Sequence, residues 1–287
     1  MTKYIGLYFI PLFFLACQSN VFDQMLRNDQ ELHKPQPGEW RFEHKENSQS
    51  LHDFRQSNFI RPDSKRKNID LIPIGTFTLN DAQQLSLCCE YLSIFYQIPC
   101  RLSTVISDTA IPTKNRRIGT DHQIQLLAPF ILDSVLLPQL DSHAFCSMAI
   151  TTQDLFPKPE WNYVFGLASF TNRVSVSSIY RFRDQPALNQ IDNVCLLRLL
   201  KTASHETGHM VGLHHCQHAH CVMNGSNSLQ ELDQIFCRLC SDCLQKLNSN
   251  IPLKIEERNI QLLQFFRKNH LETPIQELIP DSIAFAN

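Results

Sequence analysis

The motif HExxHxxGxxH, from His205 to His215, constrains this chain more than any other feature of its sequence. Residues four apart on a helix share a face, so His205 and His209 can present their imidazoles to one metal ion. Gly212 tolerates a positive φ, which lets the helix end and lets His215 arrive from another direction. The spacing therefore predicts a catalytic zinc site with three nitrogen ligands and an open fourth position.

Glu206 directly follows the first histidine, about 100° round the helix from it, beside the metal and not on it. A carboxylate at that position can accept a proton from a zinc-activated water, so we assign Glu206 as the general base. His214 competes as the third ligand, but the spacing of the motif favours His215. We interpret His218 and His220 as surface residues or as partners of the ligands.

Cysteines follow the histidines at once. Cys216-x4-Cys221 and Cys240-x2-Cys243 offer four thiolates in two close pairs, which suits a tetrahedral structural zinc. Some of these residues could instead be core thiols or disulfides, and Cys237 could replace Cys240 or Cys243. We therefore expect two zinc ions per chain.

The run HETGHMVGLHHCQHAHCVM, which ends at Met223, resembles the signature of the archaemetzincins, a metzincin-type family of zinc peptidases. In that family cysteine follows the third histidine, and CxM and a downstream CxxC come next. The resemblance assigns Met223 as the methionine of the Met-turn, and it selects Cys240 and Cys243 over Cys237. It extends upstream through AITTQDLFPKPEWNYVFGLASF and VSVSSIYRF.

The resemblance implies a zincin domain of the α/β (α+β) class, with a mixed twisted sheet, a long active-site helix and a Met-turn. It implies a zinc metallopeptidase and leaves endopeptidase and aminopeptidase activity open. The alternative is a catalytically silent, zinc-stabilised module of the cell envelope that binds peptide or protein. That module would not need Glu206, so the intact motif favours the enzyme.

The order of the elements supports the same fold class. Strands alternate with helices from about Ile69 onward, which predicts a mixed α/β sheet in a domain over residues 69–287. The segment QIQLLAPFILDSVL is interpreted as a helix, and YVFGLASF and RVSVSSIYRF as a hairpin. Either hairpin strand could form the sheet edge that pairs with an extended substrate.

The N-terminus differs from the rest of the chain. Met1-Thr-Lys is followed by a short apolar run that ends at Ala16-Cys17, which predicts a secretory signal over residues 1–17. A small residue before cysteine also resembles a bacterial lipobox, in which Cys17 would be lipidated. Residues 18–68 are mostly polar and are predicted to be a flexible tether.

These features predict a location in the bacterial cell envelope, lipid-anchored in the periplasm or outer membrane. The location is cytoplasmic if the signal is not used. The expected partners are a peptide or protein substrate and a membrane reached through the lipid, with the protein itself a monomer. The formal net charge of −2 gives no electrostatic reason to expect nucleic acid.

Overall fold

The computed structural model of the protein describes residues 13–57, 60–183 and 192–283. The strands are β1 (Asn68–Ile74), β2 (Cys100–Leu102), β3 (Arg116–Ile118), β4 (Ile124–Leu127), β5 (Ala144–Thr151), β6 (Asp154–Phe156), β7 (Gly166–Ala168) and β8 (Val174–Ser178). The helices are α1 (Phe13–Asn28), α2 (Trp40–Glu43), α3 (Leu51–Gln56), α4 (Leu79–Tyr96), α5 (Ala128–Phe130), α6 (Asn193–Met210), α7 (Leu229–Gln234), α8 (Ser241–Asn250), α9 (Ile255–Lys268) and α10 (Glu272–Ile283).

The main sheet has the strand order β2-β1-β5-β8-β7. Neighbouring strands in this sheet are parallel except at one end. There β7 runs antiparallel to β8, with Leu167 opposite Val176. The predicted hairpin is therefore confirmed, and β7 is one of the two edge strands of the sheet. The sheet is mixed, as expected.

Apolar side chains cover both faces of this sheet, as is usual for parallel strands. The central strand β5 is buried along its whole length. On one face Met148 packs in a cluster with Tyr91 of α4 and Leu199 of α6. On the other face Ala149 packs with Ile131 and the residues that follow α5. This packing fixes α6, the helix that carries the HExxH residues, against the sheet.

The expected helix QIQLLAPFILDSVL is wrong over its first residues. Ile124–Leu127 forms β4, which pairs antiparallel with β3 and parallel with β6 in a second, three-stranded sheet. The chain becomes helical only at Ala128 and continues through a π-helical turn over Ile131–Leu136. The strand forms because both of its edges find backbone partners from other segments, which local periodicity does not reveal.

The expectation of a flexible tether is wrong for much of residues 18–57. Helix α1 packs on α8 and α10, and α3 packs on α8. Met25 and Phe54 are buried in the main core. Asp29 accepts hydrogen bonds from the backbone and hydroxyl of Ser241 and forms an ion pair with Arg238. A few well-placed apolar anchors and buried polar contacts hold a segment whose average composition is polar.

Residues 1–12 of the predicted signal lie outside the described residues. Cys17 falls within α1, and only its backbone is described. In the part of the chain that the structure describes, no helix combines the length and apolar character needed to span a membrane.

Candidate zinc and active site

Helix α6 presents the first two histidines toward one point. Asp192 caps its start by accepting from the backbone N–H groups of Val194 and Cys195, both at 3.0 Å. Farther along α6, His205 Nδ1 donates to the carbonyl oxygen of Val222 at 2.8 Å, and His209 Nδ1 donates to that of Leu213 at 2.7 Å. Because both Nδ1 atoms are occupied, the Nε2 atoms are left for a metal. They lie 2.9 Å apart.

The turn after α6 brings the third histidine to the same point. Gly212 adopts φ of +99° and donates to the carbonyl oxygen of His209, while Leu213 donates to that of Gly208. This pair of bonds is a Schellman motif, which ends the helix and reverses the chain. The positive φ predicted for Gly212 is confirmed.

The three imidazoles form one cluster. The ring centroid of His215 lies 5.1 Å from that of His205 and 4.9 Å from that of His209. One ligand nitrogen from each ring lies within 4.8 Å of the others. His214 is outside this cluster, and its ring contacts Phe170 edge-on at 5.4 Å. The structure therefore places His215 in the position that the motif predicts for the third ligand.

The electrostatics of this cluster suit a metal ion. Burial lowers the pKa of His205 to about 3 and takes the pKa of His209 well below its ordinary value. Both rings are therefore neutral at pH 7, which is the form that binds metal. Three imidazole nitrogens that converge from two directions fit the open zinc site of a hydrolase.

Glu206 lies beside the histidines and faces the edge strand. The residue is buried, at 6% exposure, and burial raises the pKa of its carboxyl to about 8. A Cβ atom added to Gly166 of β7 would come within 2.5 Å of Glu206 Oε1. The carboxylate is therefore held between α6 and the backbone of β7.

Four cysteines form a second, buried cluster. One sulfur from each of Cys216, Cys221, Cys240 and Cys243 lies within 4.8 Å of the others. The Sγ atoms of Cys216 and Cys240 are 3.5 Å apart. Hydrogen bonds from the thiols of Cys221, Cys240 and Cys243 hold the pKa of Cys216 far below its usual range. Four convergent sulfurs fit a tetrahedral structural zinc.

Cys237 is not part of this cluster. Its sulfur lies 3.3 Å from the hydroxyl oxygen of Tyr91, and burial raises the pKa of its thiol to about 12. The structure thus brings together the four cysteines that the resemblance selects and leaves Cys237 in the core.

Met223 lies directly against the metal-site helix. It is fully buried, and a Cβ atom added to Gly208 would collide with its sulfur and terminal methyl group. Its carbonyl oxygen accepts from the backbone N–H of Cys216 at 2.8 Å. This hydrogen bond closes the chain between Cys216 and Met223 into a loop.

A cleft of about 650 Å³ opens beside the histidines. The edge strand β7 forms one wall together with the residues that precede it. Trp161 and Tyr163 also line the cleft. The other two histidines of the motif region do not join the cluster. His218 Nε2 lies 3.3 Å from a carboxylate oxygen of Asp29, and the ring of His220 stacks on that of Phe236.

Sequence reasoning allowed Trp40 and Phe42 to dock on the domain but missed that the N-terminal segment contributes to this site. Trp40 and Glu46, from the segment expected to be a tether, line the cleft. The carboxylate of Glu46 accepts a hydrogen bond from His215 Nδ1 at 2.8 Å. The only sequence feature that could have indicated this packing is the presence of Trp40 and Phe42 in an otherwise polar stretch.

Comparisons with known proteins agree with this geometry. The model of peptidase family M54 matches residues 139–249. Archaemetzincin-2 of Homo sapiens is 30% identical over 273 residues, which cover 83% of this chain and 74% of that protein. Archaemetzincin of Pyrococcus horikoshii is 36% identical over 128 residues, which cover 44% of this chain and 68% of that protein.

The fold is also similar to that of a solved archaemetzincin. The crystal structure of the protein from Methanopyrus kandleri matches with a TM-score of 0.53 and 26% identity, over 67% of this chain and 99% of that chain. The predicted zincin fold class is therefore confirmed. The motif, the two clusters and these relatives lead to one conclusion: the chain belongs to the archaemetzincins, zinc metallopeptidases of peptidase family M54.

Proposed function

We propose that this enzyme hydrolyses peptide bonds at a zinc ion held by His205, His209 and His215, with Glu206 as the general base. The observation that carries the proposal is the convergence of three imidazoles beside a buried carboxylate, in a cleft bordered by an edge strand. Each imidazole keeps Nδ1 on an acceptor and so offers Nε2 to the metal.

When bound, zinc would act as a Lewis acid that lowers the pKa of water and polarises the scissile carbonyl. Glu206 accepts one proton from the attacking water and passes it to the amine nitrogen of the departing product. The second proton of that water also passes to the amine, which leaves as an ammonium group, while the other product leaves as a carboxylate. Burial raises the pKa of the Glu206 carboxyl, which makes its ionised form a stronger proton acceptor, and the positive charge of a zinc ion on the neighbouring histidines would favour that ionised form.

The substrate is held as an extended chain along β7. One edge of β7 pairs with β8, and no strand among the described residues pairs with its other edge. A peptide added there would form backbone hydrogen bonds as an additional strand, which is a common way to bind extended peptides. The apolar side chains of Phe165 and Leu167 border the same cleft.

The second zinc, on Cys216, Cys221, Cys240 and Cys243, has a structural role in this proposal. Cys216 directly follows the third histidine, and Cys221 comes two residues before Met223. An ion on these thiolates would fix both ends of the loop that carries His215. A closed set of four thiolates leaves no position for water or substrate.

The test is cleavage of a diverse peptide mixture by the zinc-loaded full chain, read by mass spectrometry. His209→Ala is the matched control, because it removes one ligand of the histidine site and leaves the four cysteines intact. New termini with the wild type alone would support the proposal, and their positions would separate aminopeptidase from endopeptidase activity. No cleavage by a wild-type protein that holds zinc at its histidines would favour the silent binding module.

We also propose, on the N-terminal sequence, that the chain is exported and lipidated at Cys17, as a monomeric protein of the cell envelope. Metabolic labelling with a fatty acid, followed by fractionation, tests this location. Label in the membrane fraction that is lost in Cys17→Ser is expected. Unlabelled protein in the cytoplasmic fraction would contradict the proposal.

A further inference from the structure

Residues 40–49, which we call the N-terminal strap, run along the active site. Trp40 anchors the strap: its indole ring packs on Gly225, and its backbone N–H donates to Glu231 Oε1 at 2.8 Å. The indole ring also contacts the ring of His215 edge-on, with centroids 4.9 Å apart. The strap is thus seated on the loop that supplies the third histidine.

Glu46 of the strap binds His215 directly. His215 Nδ1 donates to the carboxylate of Glu46, with its two oxygens at 2.8 and 2.9 Å. Trp40 Nε1 donates to the same carboxylate at 3.3 Å. The side chain of His215 is 15% exposed and that of Glu46 is 36% exposed, so the contact is partly shielded from water.

The three histidines differ in how their rings are held. His205 and His209 lie on a rigid helix and donate Nδ1–H to backbone carbonyl groups of the core. His215 lies on a loop and donates instead to a carboxylate, that of Glu46. A carboxylate partner fixes the orientation and tautomer of a metal-binding imidazole and raises its basicity. Among the three proposed ligands, His215 is therefore the one that lies on a loop and the one whose ring is held by a carboxylate.

Gln49 holds the backbone of the same loop. Its Nε2 donates to the carbonyl oxygen of Gly212 at 3.0 Å, and its Oε1 accepts from the backbone N–H of His214 at 3.2 Å. Gln49 is buried, at 8% exposure. One amide side chain therefore bridges the residues that turn the chain from α6 toward His215.

We infer that Glu46 is a positioning residue for the zinc ligand His215 and that the N-terminal strap is an integral part of the active site. This inference rests on the proposed function, because it takes His215 as a ligand. An ordinary surface ion pair would contribute little and would leave metal binding unchanged. Zinc affinity therefore distinguishes a positioning role from a merely structural one.

The experiment measures zinc dissociation constants of the full chain by competition with a chromophoric chelator. The chain is expected to bind two zinc ions, and the dissociation constant that increases in His209→Ala is assigned to the histidine site. The variants are Glu46→Ala, Glu46→Gln and, as a matched control on the same strap, Glu43→Ala. Glu43 is exposed, and its carboxylate accepts from the backbone N–H of Gly38.

We expect Glu46→Ala to weaken zinc binding at the histidine site about 10- to 100-fold, the range for loss of such a partner. Glu46→Gln keeps an acceptor for Nδ1–H and loses the charge, so its loss should be smaller than that of Glu46→Ala. Glu43→Ala should bind as tightly as the wild type. Thermal unfolding of each variant checks that the fold is retained.

An affinity for Glu46→Ala within twofold of the wild type would overturn the inference. A wild type that binds zinc at the histidines but cleaves no peptide would overturn the proposed function alone, because the affinity comparison would still decide the role of Glu46. Zinc binding unchanged in His209→Ala would instead overturn the metal site itself, and the inference with it.

Discussion

The carboxylate of Glu206 lies directly against the backbone of Gly166, so the proposed base is in contact with the edge strand β7. We predict that Gly166→Ala lowers kcat at least tenfold, because the added methyl group displaces Glu206. Zinc content should stay at the wild-type value, since the three atoms nearest to the added methyl group all belong to Glu206, which is not a proposed ligand.

The control for this substitution is Gly119→Ala, at the residue that directly follows β3 of the second sheet. A methyl group there meets the side chains of Gln123 and Gln125, which do not line the cleft. Equal kcat values for Gly166→Ala and the wild type, measured on the same peptide, would contradict the placement of Glu206.

Cys240→Ala should remove one zinc equivalent per chain and lower the thermal unfolding midpoint, because Cys240 Sγ is part of the four-sulfur cluster. Cys237→Ala is the matched control, since that thiol contacts Tyr91 instead. Metal analysis of the two purified variants makes the comparison. Loss of zinc from Cys237→Ala and not from Cys240→Ala would show that the assignment is reversed.

Gln49→Leu should destabilise the fold by about 2 kcal/mol, because it leaves the carbonyl oxygen of Gly212 and the backbone N–H of His214 without their partner. Urea unfolding of the zinc-loaded protein measures the change. Gln36→Leu, at an exposed position of the same segment, should change stability little. Equal stabilities of Gln49→Leu and the wild type would show that the two hydrogen bonds of Gln49 do not stabilise this loop.

Glu277 provides a prediction about pH. Burial raises the pKa of its carboxyl from 4.5 to about 7, although the backbone N–H of Cys237 donates to it at 2.7 Å. A raised pKa in an acid means that the folded state holds the proton more tightly than the unfolded state. The stabilising effect of that proton is therefore full below pH 4.5 and is lost as pH rises through about 7.

Glu277→Gln keeps a neutral acceptor, so its stability relative to the wild type should increase between pH 5 and pH 8, by at most about 3 kcal/mol. Urea unfolding at the two pH values tests this, with the exposed Glu272→Gln as control. A stability difference between variant and wild type that is the same at both pH values would rule out the raised pKa.

The metal site is predictable from the sequence because its information is local. His205, His209 and Gly212 act through helix periodicity and a helix-ending motif, and both depend on neighbours only a few residues away. The cysteine pairs have the same local character, although the choice between Cys237 and Cys240 needed the family resemblance.

The strap and the second sheet were not predictable in this way. Glu46 and His215 are 169 residues apart in sequence, and their contact exists only once the fold has formed. The segment Ile124–Leu127 is a strand because distant strands pair with it. Helix α10 also went unpredicted, since Pro280 lies inside it and weakens its helical signal.

The central claim is that Glu206 acts as the base beside a histidine-bound zinc, and Glu206→Gln tests it most directly. Turnover of one cleaved peptide is measured for this variant and the wild type, together with the zinc content of both. The account predicts equal zinc content and a kcat about 10²- to 10⁴-fold lower in the variant. A variant that keeps its zinc and more than a tenth of wild-type turnover would contradict it.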